Sequence, residues 1–288
     1  MSGTKYTPAP QEDPDDVHLN YAQPPPSYQA TAESSTANAV LGDQARLFSG
    51  APRSSQDDDH DIPDDFKFGG SVAEATVEIR HQFIRKVYTI LTVQLIATGA
   101  VSALSFLSDG YKNWIQSHPA MIWVSFAGAL VFMLLTFWKR QSYPTNLLFL
   151  SGFTLMEAYS ISVCVSFFDS ATVMLAVVIT AGIFVFLTAF ACQTKYDFTS
   201  WMPYLGGALW GLILTGFVYA FLPHTSTSEL VYGGIAALVF SGYILVDTQL
   251  VMRKYHVEEE IAAAISLYLD ILNLFLAILR ILNSQSDN

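Results

Sequence analysis

Cysteine is scarce in this chain. There are two in 288 residues, Cys164 and Cys192, each inside a long apolar stretch. That argues against a disulfide framework or a cysteine-based zinc site, and both thiols read as small buried residues. No Asn-x-Ser/Thr acceptor occurs, so glycosylation gives no clue to topology. There is no basic stripe and no readout motif, which removes nucleic acid as a partner. The N-terminus has no basic segment followed by an apolar one, so no cleaved signal peptide is expected. No internal repeat or paired Gly/Pro-broken helices are found, which argues against a secondary transporter. Nothing points to a bound cofactor.

Charge is also scarce where the chain is apolar. Residues 1–79 hold 14 acids and 4 bases, a net of −10, whereas residues 80–288 hold 11 and 10, a net of −1. The acidic character therefore belongs to the first quarter. Overall 52% of residues are hydrophobic, with mean hydropathy +0.36, too apolar for a soluble domain and suited to a polytopic membrane protein in contact with lipid.

Residues 1–79 are rich in Pro, Ser, Ala, Gln and Asp, and are expected to be a disordered cytosolic tail. The acidic block Asp57-Asp58-Asp59-His60-Asp61 with Asp64-Asp65 reads as a solvated spacer, because nothing fixes a coordination geometry around it. Pro24-Pro25-Pro26-Ser27-Tyr28 contains Pro-Pro-x-Tyr, a ligand pattern for WW domains. Pro25 and Pro26 would dock as a preformed polyproline II turn and Tyr28 would fill a second pocket. The partner would be a WW-bearing ubiquitin ligase, although such short patterns also arise by chance in proline-rich tails.

From residue 80 to 288 the expectation is an all-α membrane domain. Seven spans are predicted near 87–108, 119–138, 145–168, 171–192, 201–222, 230–252 and 261–283, each about 20 residues, enough to cross ~30 Å of hydrocarbon. Backbone groups must be satisfied internally there, so the spans are helices. Arg80, Arg85, Lys86, Lys139, Arg140, Lys195, Arg253 and Lys254 fall on the N-terminal side, and in the opposite loops only Lys112 is basic. This imbalance predicts a cytosolic N-terminus. Seven spans then carry the C-terminus across, unless the seventh is re-entrant. Gly207-x-x-x-Gly211 predicts close helix packing in the fifth span rather than a dimer face.

The functional argument starts from Asp247 and Asp270, each inside an apolar run long enough to span. A carboxylate in that setting costs several kcal/mol, so it is retained for a use or a partner. The two segments are joined by a short charged loop. Asp247 precedes the end of the sixth span and Asp270 follows the start of the seventh, at depths that differ by about 6 Å. Adjacent antiparallel helices can therefore bring the carboxyls together, where they share one proton and form a pH-sensitive element and a candidate cation site. The alternative is two separate, neutral, hydrogen-bonded acids. Ser266, Asp270, Asn273 and Arg280 recur at helical spacing, the stripe of a helix facing the bundle interior. Glu157 in the third span either lines the same path or stays protonated against another helix. Glu258-Glu259-Glu260 precede a helix start, where acid favours the dipole.

Four segments carry a resemblance: Val77-Glu-Ile-Arg80-His-Gln-Phe-Ile-Arg85-Lys86-Val-Tyr88; Phe137-Trp138-Lys139-Arg140; Asp247-Thr248-Gln249; and Leu267-Tyr268-Leu269-Asp270-Ile-Leu-Asn273-Leu-Phe275. They resemble the Bax-inhibitor-1 (transmembrane Bax-inhibitor-motif) family, in its lifeguard-like branch, over about residues 77–282. Val246 departs from the Tyr usual before the aspartate of Asp-Thr-Gln, which leaves the pair but alters its hydrogen bonding. The resemblance implies seven helices with the last one central and six wrapped around it. It implies a pH-dependent calcium leak across an internal membrane, with the two aspartates sharing a proton or bridging to Arg140. It also implies ties to calcium homeostasis, cell-death regulators and endoplasmic-reticulum stress. The endoplasmic reticulum is favoured, with vacuole or Golgi next. Arg140 reads equally well as a latch at the path's mouth or as a snorkelling anchor.

Calcium would be transported, with Asp247 and Asp270 as transient oxygen ligands. The competing reading is a non-conducting regulator that acts through protein contacts. An intramembrane aspartyl protease is set aside, because Val246-Asp247 and Leu267-Tyr268-Leu269-Asp270 supply neither the Tyr-Asp nor the Gly-x-Gly-Asp pattern of such enzymes. No enzymatic activity is expected.

Overall fold

The computed structural model describes residues 71–286 apart from 140, 141, 194, 220 and 222–224. In chain order the elements are α1 (Val77–Leu107), α2 (Asp109–Ser117), α3 (Met121–Trp138), α4 (Thr145–Val165), α5 (Ser170–Gln193), a 3-10 turn (Phe198–Trp201), α6 (Met202–Tyr219), α7 (Ser226–Arg253) and α8 (Glu260–Ser286). All except α2 and the short turn are long and apolar enough to cross a membrane, seven among the described residues. Their outward faces expose Trp123, Leu134, Val178, Phe186, Trp210 and Leu238. Water would not tolerate that much contiguous apolar surface, whereas lipid covers it without penalty. Trp138, Tyr143, Tyr196 and Tyr204 are exposed near the helix ends on one side, where amphipathic rings meet the headgroups. The protein is an all-α, multi-pass membrane protein.

α8 organises the bundle. Of its apolar window 72% is buried, against 6–44% for the other six spans, so it is the interior helix. Ala263, Ala264, Ile265, Leu267, Ile271 and Leu274 are buried, and the polar stripe of Ser266, Asp270 and Asn273 also faces protein rather than lipid, which suits an interior helix. It packs on α7, α1 and α5. The wrapping is uneven, because α3 packs chiefly on α4 and α6 chiefly on α7. Polar side chains tie the helices together: Gln94 Nε2 donates to Thr154 Oγ1 at 3.0 Å, the hydroxyls of Thr98 and Tyr268 meet at 2.7 Å, and those of Ser125 and Ser160 at 2.8 Å. Each such bond stabilises a membrane bundle by ~0.6 kcal/mol.

Three sequence expectations change. α1 begins at Val77, ten residues before the predicted span, because Thr76 Oγ1 accepts from Ile79 N and caps a helix that continues below the apolar run. At 31 residues it is about 46 Å long, longer than the hydrocarbon it crosses. Residues 71–79, which composition assigns to the tail, belong to the membrane unit, and Val72 is fully buried. Gly207 and Gly211 do not mediate close packing, since a Cβ at either position would meet nothing within 4 Å. The close approach is made by Gly233 of α7, where a Cβ would stand 3.1 Å from the Ala277 carbonyl of α8. One helix was not anticipated. Ser108 ends α1 and caps α2 through Tyr111 N, and α2 buries Ile115.

Candidate functional site

α7 starts firmly. Thr225 and Ser228 form a capping box, with Ser228 N donating to Thr225 Oγ1 at 3.3 Å and Thr225 N to Ser228 Oγ at 3.1 Å. From there α7 runs to Arg253, and a tight turn reverses it into α8. Lys254 N bonds Leu250 O at 2.8 Å and Glu259 N bonds His256 O at 2.9 Å. The antiparallel pair is the most extensive helix contact in the bundle. Asp247 lies six residues before the end of α7 and Asp270 ten after the start of α8. The four-residue difference is about 6 Å of depth.

At that level the two carboxyls come within hydrogen-bonding reach of each other. Both are buried, Asp247 at 5% exposure and Asp270 at 6%. Asp247 Oδ1 and Asp270 Oδ2 have no hydrogen-bond partner. A carboxyl–carboxyl hydrogen bond needs one proton between the two groups, since an ionised carboxylate only accepts. The arrangement can therefore hold one proton, lose it, or offer two orphaned oxygens to a cation. Two carboxylates are too few to retain calcium, which takes six to eight oxygens. Among the described residues no cluster of three His, Cys, Asp or Glu side chains forms.

Tyrosines flank the pair. Tyr243 lies one helical turn before Asp247 and within electrostatic range of both carboxyls. Tyr255, in the α7–α8 turn, also lies within range of both, and its hydroxyl meets Ser266 Oγ at 3.3 Å. Burial pushes the Tyr255 phenol above its usual range. Tyr243 precedes Asp247, and Ser266 precedes Asp270, by four residues, a spacing the sequence could have signalled.

The remaining sequence candidates are dispersed. Glu157 is half-buried on α4, within electrostatic range of Tyr268 and Cys164, whereas the two aspartates interact with each other. Asn273 donates to its own helix at Leu269 O, 2.8 Å. Glu260 joins the first turn of α8 and its Oε1 lies 3.6 Å from Lys86 Nζ. Arg140, Pro25, Pro26, Tyr28 and the acidic block lie outside the described residues.

Two further features were not anticipated. Gln249 is buried and clamps the α5–α6 loop, donating from Nε2 to Tyr196 O and accepting at Oε1 from Phe198 N, both at 2.7 Å. At the opposite end of the bundle Arg280 Nε lies 3.1 Å from Glu229 Oε2, and the guanidinium sits 4.7 Å over the Tyr232 ring. These groups line a crevice of about 610 Å³ with Asn273, Asn283 and Cys164.

Comparison with known proteins agrees with the motifs. Residues 80–287 match the family described as "Inhibitor of apoptosis-promoting Bax1". The chain is 37% identical to Bax inhibitor 1 of Schizosaccharomyces pombe over 283 residues, covering 98% of this chain and 97% of the relative. It is 40% identical to mouse protein lifeguard 4, covering 82% and 96%. It is 41% identical to the Golgi anti-apoptotic protein of vaccinia virus, covering 77% and 93%.

Proposed function

The chain belongs to the family of inhibitors of apoptosis-promoting Bax1, and from that premise we propose that it is a proton-sensitive calcium path of an internal membrane, set by the Asp247–Asp270 pair and acting to restrain cell death. The observation that carries this reading is the buried pair itself, with two carboxyls in mutual reach and one oxygen on each left without a partner.

With one proton between them the carboxyls attract, and α7 and α8 are held together at that level. Without it, two anions in a medium of low dielectric repel, and a divalent cation is the ligand that relieves the repulsion. Conduction then rises as pH rises and falls in acid. Arg140 would either latch the mouth through a charge-assisted bond or anchor the end of α3 to headgroups. Glu157, deeper on α4, would be a later stop along the path. The basic loops favour a cytosolic N-terminus. The endoplasmic reticulum is the favoured membrane, with Golgi supported by one relative's name and vacuole as a further alternative. No catalytic step is proposed.

The second reading is a non-conducting regulator that works through protein contacts, favoured by relatives named for apoptosis rather than for transport. Purified protein in liposomes separates the two. Calcium flux that depends on pH and disappears in Asp270→Asn supports the path. Absent flux, or flux indifferent to both, leaves the regulator.

A further inference from the structure

The six described residues before α1 do not simply lead into the membrane. Ser71 pairs with His256 in an isolated antiparallel bridge. Val72 N donates to Tyr255 O at 2.9 Å, and Ala73 N to Arg253 O at 3.3 Å. The chain then folds back on itself: Glu74 N and Ala75 N both donate to Ser71 O, and Ser71 N donates to Glu74 Oε2 at 3.3 Å. Val72 is fully buried and belongs to the same apolar cluster as Val257 and Ile261, on either side of the start of α8. Thr76 then caps α1, and nearly three turns further on Lys86 reaches Glu260 of α8.

These contacts converge on one short stretch. Arg253 ends α7, Tyr255 and His256 lie in the turn that joins the two aspartate helices, and Tyr255 continues the connection inward through Ser266, one helical turn before Asp270. A turn whose backbone pairs with the α7–α8 turn and seats one apolar side chain beneath it is a fastener. Its loss would free two turn carbonyls and open a void under the turn. The α5–α6 loop grips α7 from another side through Gln249, so the strap is the part of this end that connects directly to the chain before it.

We propose that residues 71–75 form a clasp that holds the α7–α8 turn and thereby sets the separation of Asp247 and Asp270. This rests on the proposed cation path for its effect on flux, and on the contacts alone for its effect on the turn.

The test uses the full chain in liposomes with two readouts. In a Cys164→Ser/Cys192→Ser background, Val257→Cys reports whether the turn is covered, and Val72→Asp or Ala73→Pro releases the clasp. With Val72 and Ala73 in place, a membrane-impermeant maleimide should label Val257→Cys slowly, and each release variant should speed labelling by at least tenfold. Calcium flux at neutral pH should rise several-fold in the release variants and keep its dependence on Asp270. Unchanged labelling in both variants overturns the clasp. Faster labelling with unchanged flux, in protein whose flux responds to Asp270→Asn, overturns its control of the pair. If the parent protein carries no flux, the cation path fails by itself and the labelling arm still decides the clasp. The conservative Val72→Ile should behave as the parent and separates release from general damage.

Discussion

Asp247 of α7 faces Asp270 of α8 across the most extensive helix pair of the bundle, and each carboxyl keeps one oxygen without a hydrogen-bond partner. Asparagine at either position preserves shape and hydrogen bonding while it removes the titration. Asp247→Asn or Asp270→Asn should lower calcium flux at alkaline pH by at least tenfold, equivalent to ~1.4 kcal/mol, and flatten its dependence on pH. The sign follows from the shared proton. Flux in the parent protein should fall as the medium is acidified and the pair takes up its proton, and rise as that proton leaves. A parent curve that runs the other way would contradict the mechanism.

Gln249 binds backbone on both sides of Asp197, and both of its bonds are short. Gln249→Ala removes both bonds that tie the α5–α6 loop to α7. The expected loss is ~0.5–1.5 kcal/mol for each bond removed, because the loop is open to water and Tyr196 is exposed. Thermal unfolding in detergent should show a lowered Tm. Gln249→Glu should recover only part of it, because its carboxylate still accepts from Phe198 N but cannot donate to Tyr196 O.

Much of this was legible in the residues. Long apolar runs announced the spans, and the similar depth of Asp247 and Asp270 followed from their distances to a short charged loop. That α8 is interior was visible in its polar stripe, Ser266, Asp270, Asn273 and Arg280, though only Asp270 uses it to meet a carboxyl. Arg280 instead pairs with Glu229, far along the chain on α7, and no local spacing predicts that contact. The strap at 71–75 escaped for a similar reason. Its sequence is short and without a pattern, and what holds it is backbone pairing with residues 253–256 and the burial of the single side chain of Val72. The Gly207-x-x-x-Gly211 pattern misled because spacing shows that a backbone can be approached, not that a neighbour approaches it.

Asp197 offers a second titration, at the surface. Its Oδ1 accepts from Thr199 Oγ1 at 2.6 Å and from Thr199 N at 2.9 Å, and these bonds hold its carboxyl below the usual carboxylate range. A depressed carboxyl contributes stability above its unfolded value and loses it as pH falls through the folded one. Asp197→Asn should therefore be less stable than the parent at neutral pH, with the difference vanishing in strong acid. Paired melting curves across that range check the sign.

The Pro25-Pro26-Ser27-Tyr28 motif makes a prediction about partners alone. A WW domain of a ubiquitin ligase should retain the full chain on a column, and Tyr28→Ala should lose retention because the tyrosine pocket is left empty. Equal retention of both would assign the proline stretch no role in WW binding.

Glycine gives the sharpest contrast in packing. A Cβ on Gly233 would stand 2.9 Å from Ile281 Cγ1 and 3.1 Å from the Ala277 carbonyl, and the carbonyl is backbone of the buried α8 and cannot swing aside. Gly233→Ala should therefore push α7 from α8 and destabilise the bundle by ~1–3 kcal/mol, the range for overpacked cores. Gly207→Ala adds the same methyl where nothing lies within 4 Å, so it should leave the melting temperature unchanged or slightly raised, alanine being the better helix former. The two helices lean together on the Gly233 side and meet again at Asp247 and Asp270, so the spacer should also disturb the pair. Gly233→Ala should raise calcium flux at acid pH relative to Gly207→Ala, because carboxyls held further apart no longer share one proton. Matched flux in the two variants, with Gly233→Ala still destabilised, would show that helix spacing there does not reach the aspartates.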